Sequence, residues 1–169
     1  MQIRQENKSD WNSVYRVVRE AFRKAEHSDG NEQELVTALR KSAAFVPELS
    51  LVAEENGSVV GYVLFTEARI GNRTGLALAP LAVLPDFQNK GIGAALVREG
   101  HRRAGELRYG CCVVLGSERY YPRFGYVPAH VLGIETPHGL PPENFMAFRL
   151  DGGAEPVGGT VKYAEEFGL

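Results

Sequence analysis

The chain has 169 residues, and 19 Lys and Arg stand against 21 Asp and Glu, for a formal net charge of −2. With 44 % apolar and 24 % charged residues it has the balance of one soluble globular domain, large enough to bury about two-thirds of its unfolded surface. That charge gives no support for a nucleic-acid partner, and no apolar run approaches the ~20 residues of a bilayer span. The polar opening MQIRQENKSDW lacks a signal-peptide core, so a cytoplasmic location is expected.

Taken in order, Ile3 and Arg4 open a short strand, and Ser9 or Asp10 is placed to cap a helix. In that helix Trp11, Val14, Val18 and Phe22 recur at helical spacing. A turn at Ser28-Asp29-Gly30 precedes a second helix over residues 32–41, with Leu35, Val36 and Leu39 inward. Residues 49–54 and 58–70 read as strands joined by Glu55-Asn56-Gly57, since Asn-Gly between apolar runs signals a hairpin. A turn at Gly71-Asn72-Arg73 then leads into a fourth strand, so strands two to four form an antiparallel meander. Pro80 lies inside that fourth strand and cannot donate to a ladder, which predicts a bulge or a parting of strands.

The fourth strand runs into Gln88-Asn89-Lys90-Gly91-Ile92-Gly93-Ala94 and then a helix with Leu96, Gly100 and Leu107 on one side. A glycine turn at a helix start is an anion site, because unpaired N–H groups and roughly half a positive charge meet there. Gly91 and Gly93 let a phosphate approach the main chain closely. The nucleoside-triphosphate loop is excluded, since Lys90 precedes the glycines and Ala94 and Ala95 follow them. The dinucleotide fingerprint is excluded because Leu96 stands where its third glycine belongs. What remains is a site for a phosphate-bearing cofactor of another kind, with an ordinary strand-to-helix turn as the alternative.

A fifth strand follows at 111–115, where Cys111 and Cys112 point to opposite faces and are expected as buried free thiols. Neither the cysteines nor His27, His101, His130 and His138 have metal-ligand spacing, so no metal is expected. A Pro/Gly-rich turn region spans 137–143, and strand-like runs at 145–150 and 159–163 are expected to close the sheet.

The segment Gln88–Ala94 resembles the Q/R-x-x-G-x-G/A motif of GNAT-superfamily N-acetyltransferases. Tyr121-x-x-x-Gly125-Tyr126 resembles the Y-x-x-x-G-F of the same family, and YYPRFGYVPA is similar to a bacterial subgroup of predicted acetyltransferases. The resemblance covers residues 3–131. It implies an α/β (α+β) fold: a mixed, mostly antiparallel sheet of about six or seven strands, helices on both faces, and strands four and five splayed. The chain, 1–169, would be a single acetyl-CoA-binding domain, with acetyl-CoA as cosubstrate and no metal.

The resemblance also assigns residues. The pyrophosphate would sit on Gln88, Asn89, Lys90, Gly91, Ile92, Gly93 and Ala94, and the pantetheine arm on the main chain of Leu81, Ala82 and Val83. A main-chain N–H near Val83 is placed to serve the oxyanion. Tyr121 matches the tyrosine that donates a hydrogen bond or proton to the departing thiolate, with Tyr120 as its competitor. One of Arg98, Arg102 and Arg103 could reach the 3′-phosphate. The family's asparagine after strand five is missing; Gly116 and Ser117 occupy its neighbourhood, and Ser117 is a candidate coenzyme contact.

Glu67, near the end of the third strand, is the candidate base, directly or through water. Glu26, His27 and Asp29 fall where the family's acceptor site is bordered. The expected reaction is direct attack of a primary amine of a small molecule or peptide on acetyl-CoA in a ternary complex. A monomer or homodimer would carry it, with no nucleic-acid or membrane partner. Two alternatives stay open: a coenzyme A-binding module without turnover, and transfer of a longer acyl group.

Overall fold

In the computed structural model, which describes residues 1–26, 28–153 and 156–169, the sheet grows outward from a hairpin. Asn56 and Gly57, at φ 50° and 80°, form the left-handed two-residue turn that suits twisted strands. They join β2 (Phe45–Glu55) to β3 (Ser58–Ile70), and Gly71, at φ 62°, turns the chain into β4 (Arg73–Val83). The remaining strands are β1 (Gln2–Gln5), β5 (Cys111–Leu115), β6 (Val127–Pro128), β7 (Phe145–Arg149) and β8 (Val161–Lys162). The strand order is β1-β2-β3-β4-β5-β7-β6, with β4 and β5 parallel and the other pairs antiparallel. β8 pairs antiparallel with Arg69 and Ile70 of β3. The run expected at 159–163 therefore patches the long end of β3, while β6 supplies the far edge.

Three α-helices among the described residues cover the two faces. α1 (Trp11–Phe22) and α2 (Glu32–Leu39) bury Val14, Val17, Val18, Val36 and Leu39 against Val52, Tyr62, Leu64 and Ala82. α3 (Ile92–Glu106) buries Ile92, Leu96, Val97 and Ala104 on the other face, against Val63 and Phe65. Gly100 sits against Phe65 so closely that a Cβ there would overlap the ring, which lets the helix lie flat on the sheet. Two positions expected inward face out. Trp11 is 41 % exposed, under the Arg40 guanidinium at 5.0 Å, and Val17 fills the core stripe instead. Leu107 is 42 % exposed because the helix has ended there (φ −80°, ψ 0°). Cys111 and Cys112 are free and buried in different clusters on opposite faces, and burial pushes their thiols up to about 11 and about 12.

Two polar devices fix the helices to the sheet. The Glu6 carboxylate accepts from Arg40 Nε and Nη2, both at 2.9 Å, and from the Ser50 hydroxyl at 2.6 Å. Ser50 in turn lies 2.7 Å from the Tyr62 hydroxyl. This chain links the end of β1, the C-terminus of α2, β2 and β3. A buried ion pair of this kind is strongly destabilised when one partner is removed, because the other charge is stranded. On the opposite face, His101 of α3 stacks on Phe148 at 4.6 Å, with Nε2 2.9 Å from the Tyr126 hydroxyl.

Burial lowers the His101 pKa from 6.5 to about 4. The native state thus binds fewer protons than the unfolded chain below pH 6.5, and the stability tied to the neutral ring is lost as pH falls from 6.5 towards 4. Urea unfolding near neutral pH and near pH 4 should show wild type losing ~2–3 kcal/mol more than His101→Phe. Equal losses in the two proteins would remove His101 as the source.

Candidate active site

The site begins where β4 and β5 part. Their parallel pairing covers Leu76–Cys112, Ala77–Val113 and Leu78–Val114 only. Immediately afterwards β3 pairs Phe65 with Leu78 but Val63 with Leu81, so Ala79 and Pro80 together face Leu64. That is the bulge expected at the proline, and it bends β4 as β5 departs. The Leu84 N–H donates to the Val60 carbonyl at 2.9 Å, which fixes the alternation of the ladder beyond the bulge. Ala82, opposite Tyr62, directs its main-chain groups towards β3. Leu81 and Val83 direct theirs to the open edge, where the Val83 carbonyl accepts from Gln88 Nε2 at 3.0 Å. Of the three residues assigned to a pantetheine contact, Leu81 and Val83 have main-chain groups on the open edge and Ala82 does not.

The same edge leads to the start of α3. Gly91 takes φ 83° at the cap position, no side chain caps the helix, and no acid lies in its first turn. Helical bonding begins with the Ala95 N–H to the Gly91 carbonyl at 3.0 Å, so the N–H groups of Ile92, Gly93 and Ala94 precede it. Gln88, Asn89 and Lys90 are exposed, Asn89 at φ 61°, and Lys90 Nζ lies 5.3 Å from the Phe87 ring centre. A Cβ at Gly93 would lie 2.8 Å from the Tyr120 hydroxyl, so this tyrosine reaches the helix start. Arg102 and Arg103 are both paired with Glu99, whereas Arg98 lies over the Phe124 ring at 5.3 Å.

Tyr121 opens a short 3₁₀ turn (Tyr121–Phe124) that ends at Gly125, φ 100°. Its ring meets Tyr120 edge-on at 5.2 Å and Tyr126 at 5.7 Å. Burial raises its pKa, so the hydroxyl stays protonated through neutral pH and can act as a donor. Gly116 leaves no room for a side chain directly after β5: a Cβ at that position would overlap the Tyr121 ring. The Ser117 carbonyl accepts from the N–H groups of Tyr120 and Tyr121, and its hydroxyl accepts from the Arg119 N–H. Ser117 therefore sets the turn that presents both tyrosines.

These elements enclose a cavity of about 1060 Å³. Leu78 to Leu81 form one side, Leu115 to Glu118 with Tyr120 and Tyr121 another, and Phe22, Ala25, Glu26, Ser28, Glu32 and Leu35 border it with Glu143 and Asn144. Glu26 lines it, Asp29 lines a neighbouring hollow, and His27 falls outside the described residues. Glu67 is not brought to this cavity. Strand alternation puts it on the α3 face with Phe65, opposite Leu76, where β4 and β5 are still joined. There its carboxylate accepts from the Tyr109 hydroxyl at 2.9 Å. Four lining residues have no sequence signal of their own: Glu32, Glu118, Glu143 and Asn144. Asn144 Nδ2 donates to the Gly116 carbonyl at 3.0 Å and to Glu118 Oε2 at 2.8 Å, tying two sides together.

A model of the GNAT acetyltransferase domain matches residues 47–128. The chain is 34 % identical over 143 residues to the uncharacterized N-acetyltransferase YjhQ of Escherichia coli K12, covering 82 % of this chain and 76 % of that one. This chain belongs to the GNAT acetyltransferase family. It is also 33 % identical to the uncharacterized N-acetyltransferase YhbS of the same organism, over 99 % of this chain and 98 % of YhbS. Among solved structures it is similar to a GNAT acetyltransferase from Brucella melitensis in complex with acetyl-CoA: TM-score 0.82, 33 % identity, 98 % and 97 % of the two chains covered. The structure of YhbS in complex with CoA superposes with TM-score 0.85 at 29 % identity, over 99 % and 92 % of the two chains. The GNAT acyltransferase fold, with parallel fourth and fifth strands, is thus this chain's own.

If Gly116 exists to make room for Tyr121, Gly116→Ala must displace the ring. The expected loss in urea unfolding is about 1–3 kcal/mol, with Tyr121 shifted in a crystal structure. Wild-type stability with an unmoved ring would overturn that account.

Proposed function

We propose that this chain transfers the acetyl group of acetyl-CoA directly to a primary amine, with both substrates held in the cleft at once. The reading is carried by one observation: the open main-chain edge at Leu81 and Val83 runs to the uncapped start of α3, with Tyr121 lining the cavity. It is supported by the Brucella melitensis and YhbS structures, which hold acetyl-CoA and CoA. Residues 1–169 act in it as one acetyl-CoA-binding unit.

Acetyl-CoA supplies an acetyl group activated as a thioester; the rest is done by this chain. The N–H groups of Ile92, Gly93 and Ala94, with Lys90 nearby, hold the pyrophosphate at the positive end of α3. Gln88 and Asn89 shape that loop, Gln88 through its bond to the Val83 carbonyl. Leu81 and the Val83 N–H pair with the amide arm as an added strand would, and the Val83 N–H is a candidate donor to the carbonyl oxygen. Fixing both reactants in attack geometry lowers the barrier by several kcal/mol.

The nitrogen–carbon bond forms as the carbon–sulfur bond breaks, and an ammonium acceptor gives amide, free thiol and one proton. That proton leaves through water or a cleft carboxylate, the place of Glu67 being away from the cleft. Tyr121 donates to the departing sulfur. With its pKa raised by burial it serves as a hydrogen-bond donor more readily than as a full proton source. Ser117 contributes by holding the tyrosine turn.

Free-thiol release from acetyl-CoA across an amine panel tests the reading. Tyr121→Phe should lower kcat by about a hundredfold while acetyl-CoA affinity stays within about twofold. An unchanged kcat would remove Tyr121 from the chemistry. Acetyl-CoA binding without thiol release on any amine would replace the transferase by a coenzyme-binding module.

A further inference from the structure

The lining of the cavity carries one sign of charge. Glu26, Glu32, Glu118 and Glu143 line it, and no lysine, arginine or histidine does among the described residues. The carboxylates come from separate parts of the chain: Glu26 from the segment between α1 and α2, Glu32 from the first turn of α2, and Glu118 and Glu143 from the turns after β5 and before β7. Folding, not a local run, has collected them.

Their partners differ in an informative way. Glu118 is held by Asn144 Nδ2 at 2.8 Å. Glu32 Oε2 is shut off from solvent and has no hydrogen-bond partner among the described residues. Arg19 and Arg23 line the neighbouring hollow, which Glu32 also borders, and are paired with Glu20. An enclosed carboxylate oxygen without a donor is costly, which raises the gain from a cation that reaches this carboxylate from the cavity. Between the acids the lining is apolar, from Phe22, Leu35, Leu78 and Leu115.

Carboxylates alternating with apolar surface in one cavity fit a chain of methylenes punctuated by ammonium groups. Resting on the acetyltransferase reading above, we propose that the acceptor is a linear aliphatic polyamine with two or more amino groups. Glu32 and its neighbours hold the charged, non-reacting nitrogen, and this leaves a terminal amine at the Tyr121 end of the cavity. A monoamine of equal length would fill the apolar lining but leave the acids unpaired. An anionic acceptor would meet four like charges.

The test compares 1,4-diaminobutane and a linear triamine with butylamine, by calorimetric binding in the absence of acetyl-CoA and by initial rates in its presence. The polyamines should show at least about tenfold higher kcat/KM than butylamine, and their KM should climb with salt as screening weakens the attraction. Glu32→Gln should weaken calorimetric polyamine binding about tenfold and leave acetyl-CoA affinity unchanged. Turnover with no preference for polyamines, or a Glu32→Gln protein that binds them as wild type does, would overturn the proposal while the transferase reading stands. Polyamine binding that depends on Glu32, without turnover of any amine, would support the cavity's specificity and overturn the transferase reading instead.

Discussion

Three parallel residue pairs, Leu76 to Leu78 against Cys112 to Val114, set the geometry on which the site depends. A parallel pairing stopped after one turn of the ladder leaves both strands with unpaired main-chain edges. Here the stop coincides with two residues, Ala79 and Pro80, set against one on β3. The proline cannot donate, the bulge swings β4 away, and the edges of Leu81 and Val83 face a gap. A longer β4–β5 pairing would close the cavity and remove both the open main-chain edge and the room for Tyr121. The opening is therefore a property of backbone pairing before any side chain is considered.

The remaining architecture holds the walls of that opening in place. On one face α3 lies close to the sheet because Gly100 yields to Phe65, and the stack of His101 on Phe148 pins the helix over β7. Its N-terminus is thereby fixed at the end of the β4 edge. On the other face the Glu6–Arg40–Ser50–Tyr62 chain anchors the C-terminal end of α2, and Glu32 begins that helix. Tyr121 stands between these walls, held by Gly116 on one side and its aromatic neighbours on the other.

What could be read from the sequence was what is encoded locally. The Asn56-Gly57 hairpin, the bulge at Pro80, the glycine turn into α3 and the tyrosine turn each lie within a few residues, so short-range chemistry specifies them. Glu67 was not legible because its fate depends on which face of β3 it occupies and on Tyr109, brought from the far end of α3. Glu32 and Glu143 have ordinary contexts, a first helical turn and a polar loop, and acquire meaning only when folding brings them to one cavity. Trp11 and Leu107 show the same limit on a smaller scale. Periodicity puts them near a helix's apolar stripe, but the edge of the stripe and the end of the helix decide their exposure.

The division of the core has a consequence for how such a chain can change. The residues that seat α3 and those that seat α1 and α2 belong to separate clusters on opposite faces of one sheet. Replacing the lining between α1 and α2 alters packing on its own side and leaves the cluster beneath the glycine turn intact. Distant, independently packed positions have nearly additive effects on stability, so variation in one half carries little penalty in the other. The sheet acts as a partition: the packing on one side can be held constant while the other side diversifies.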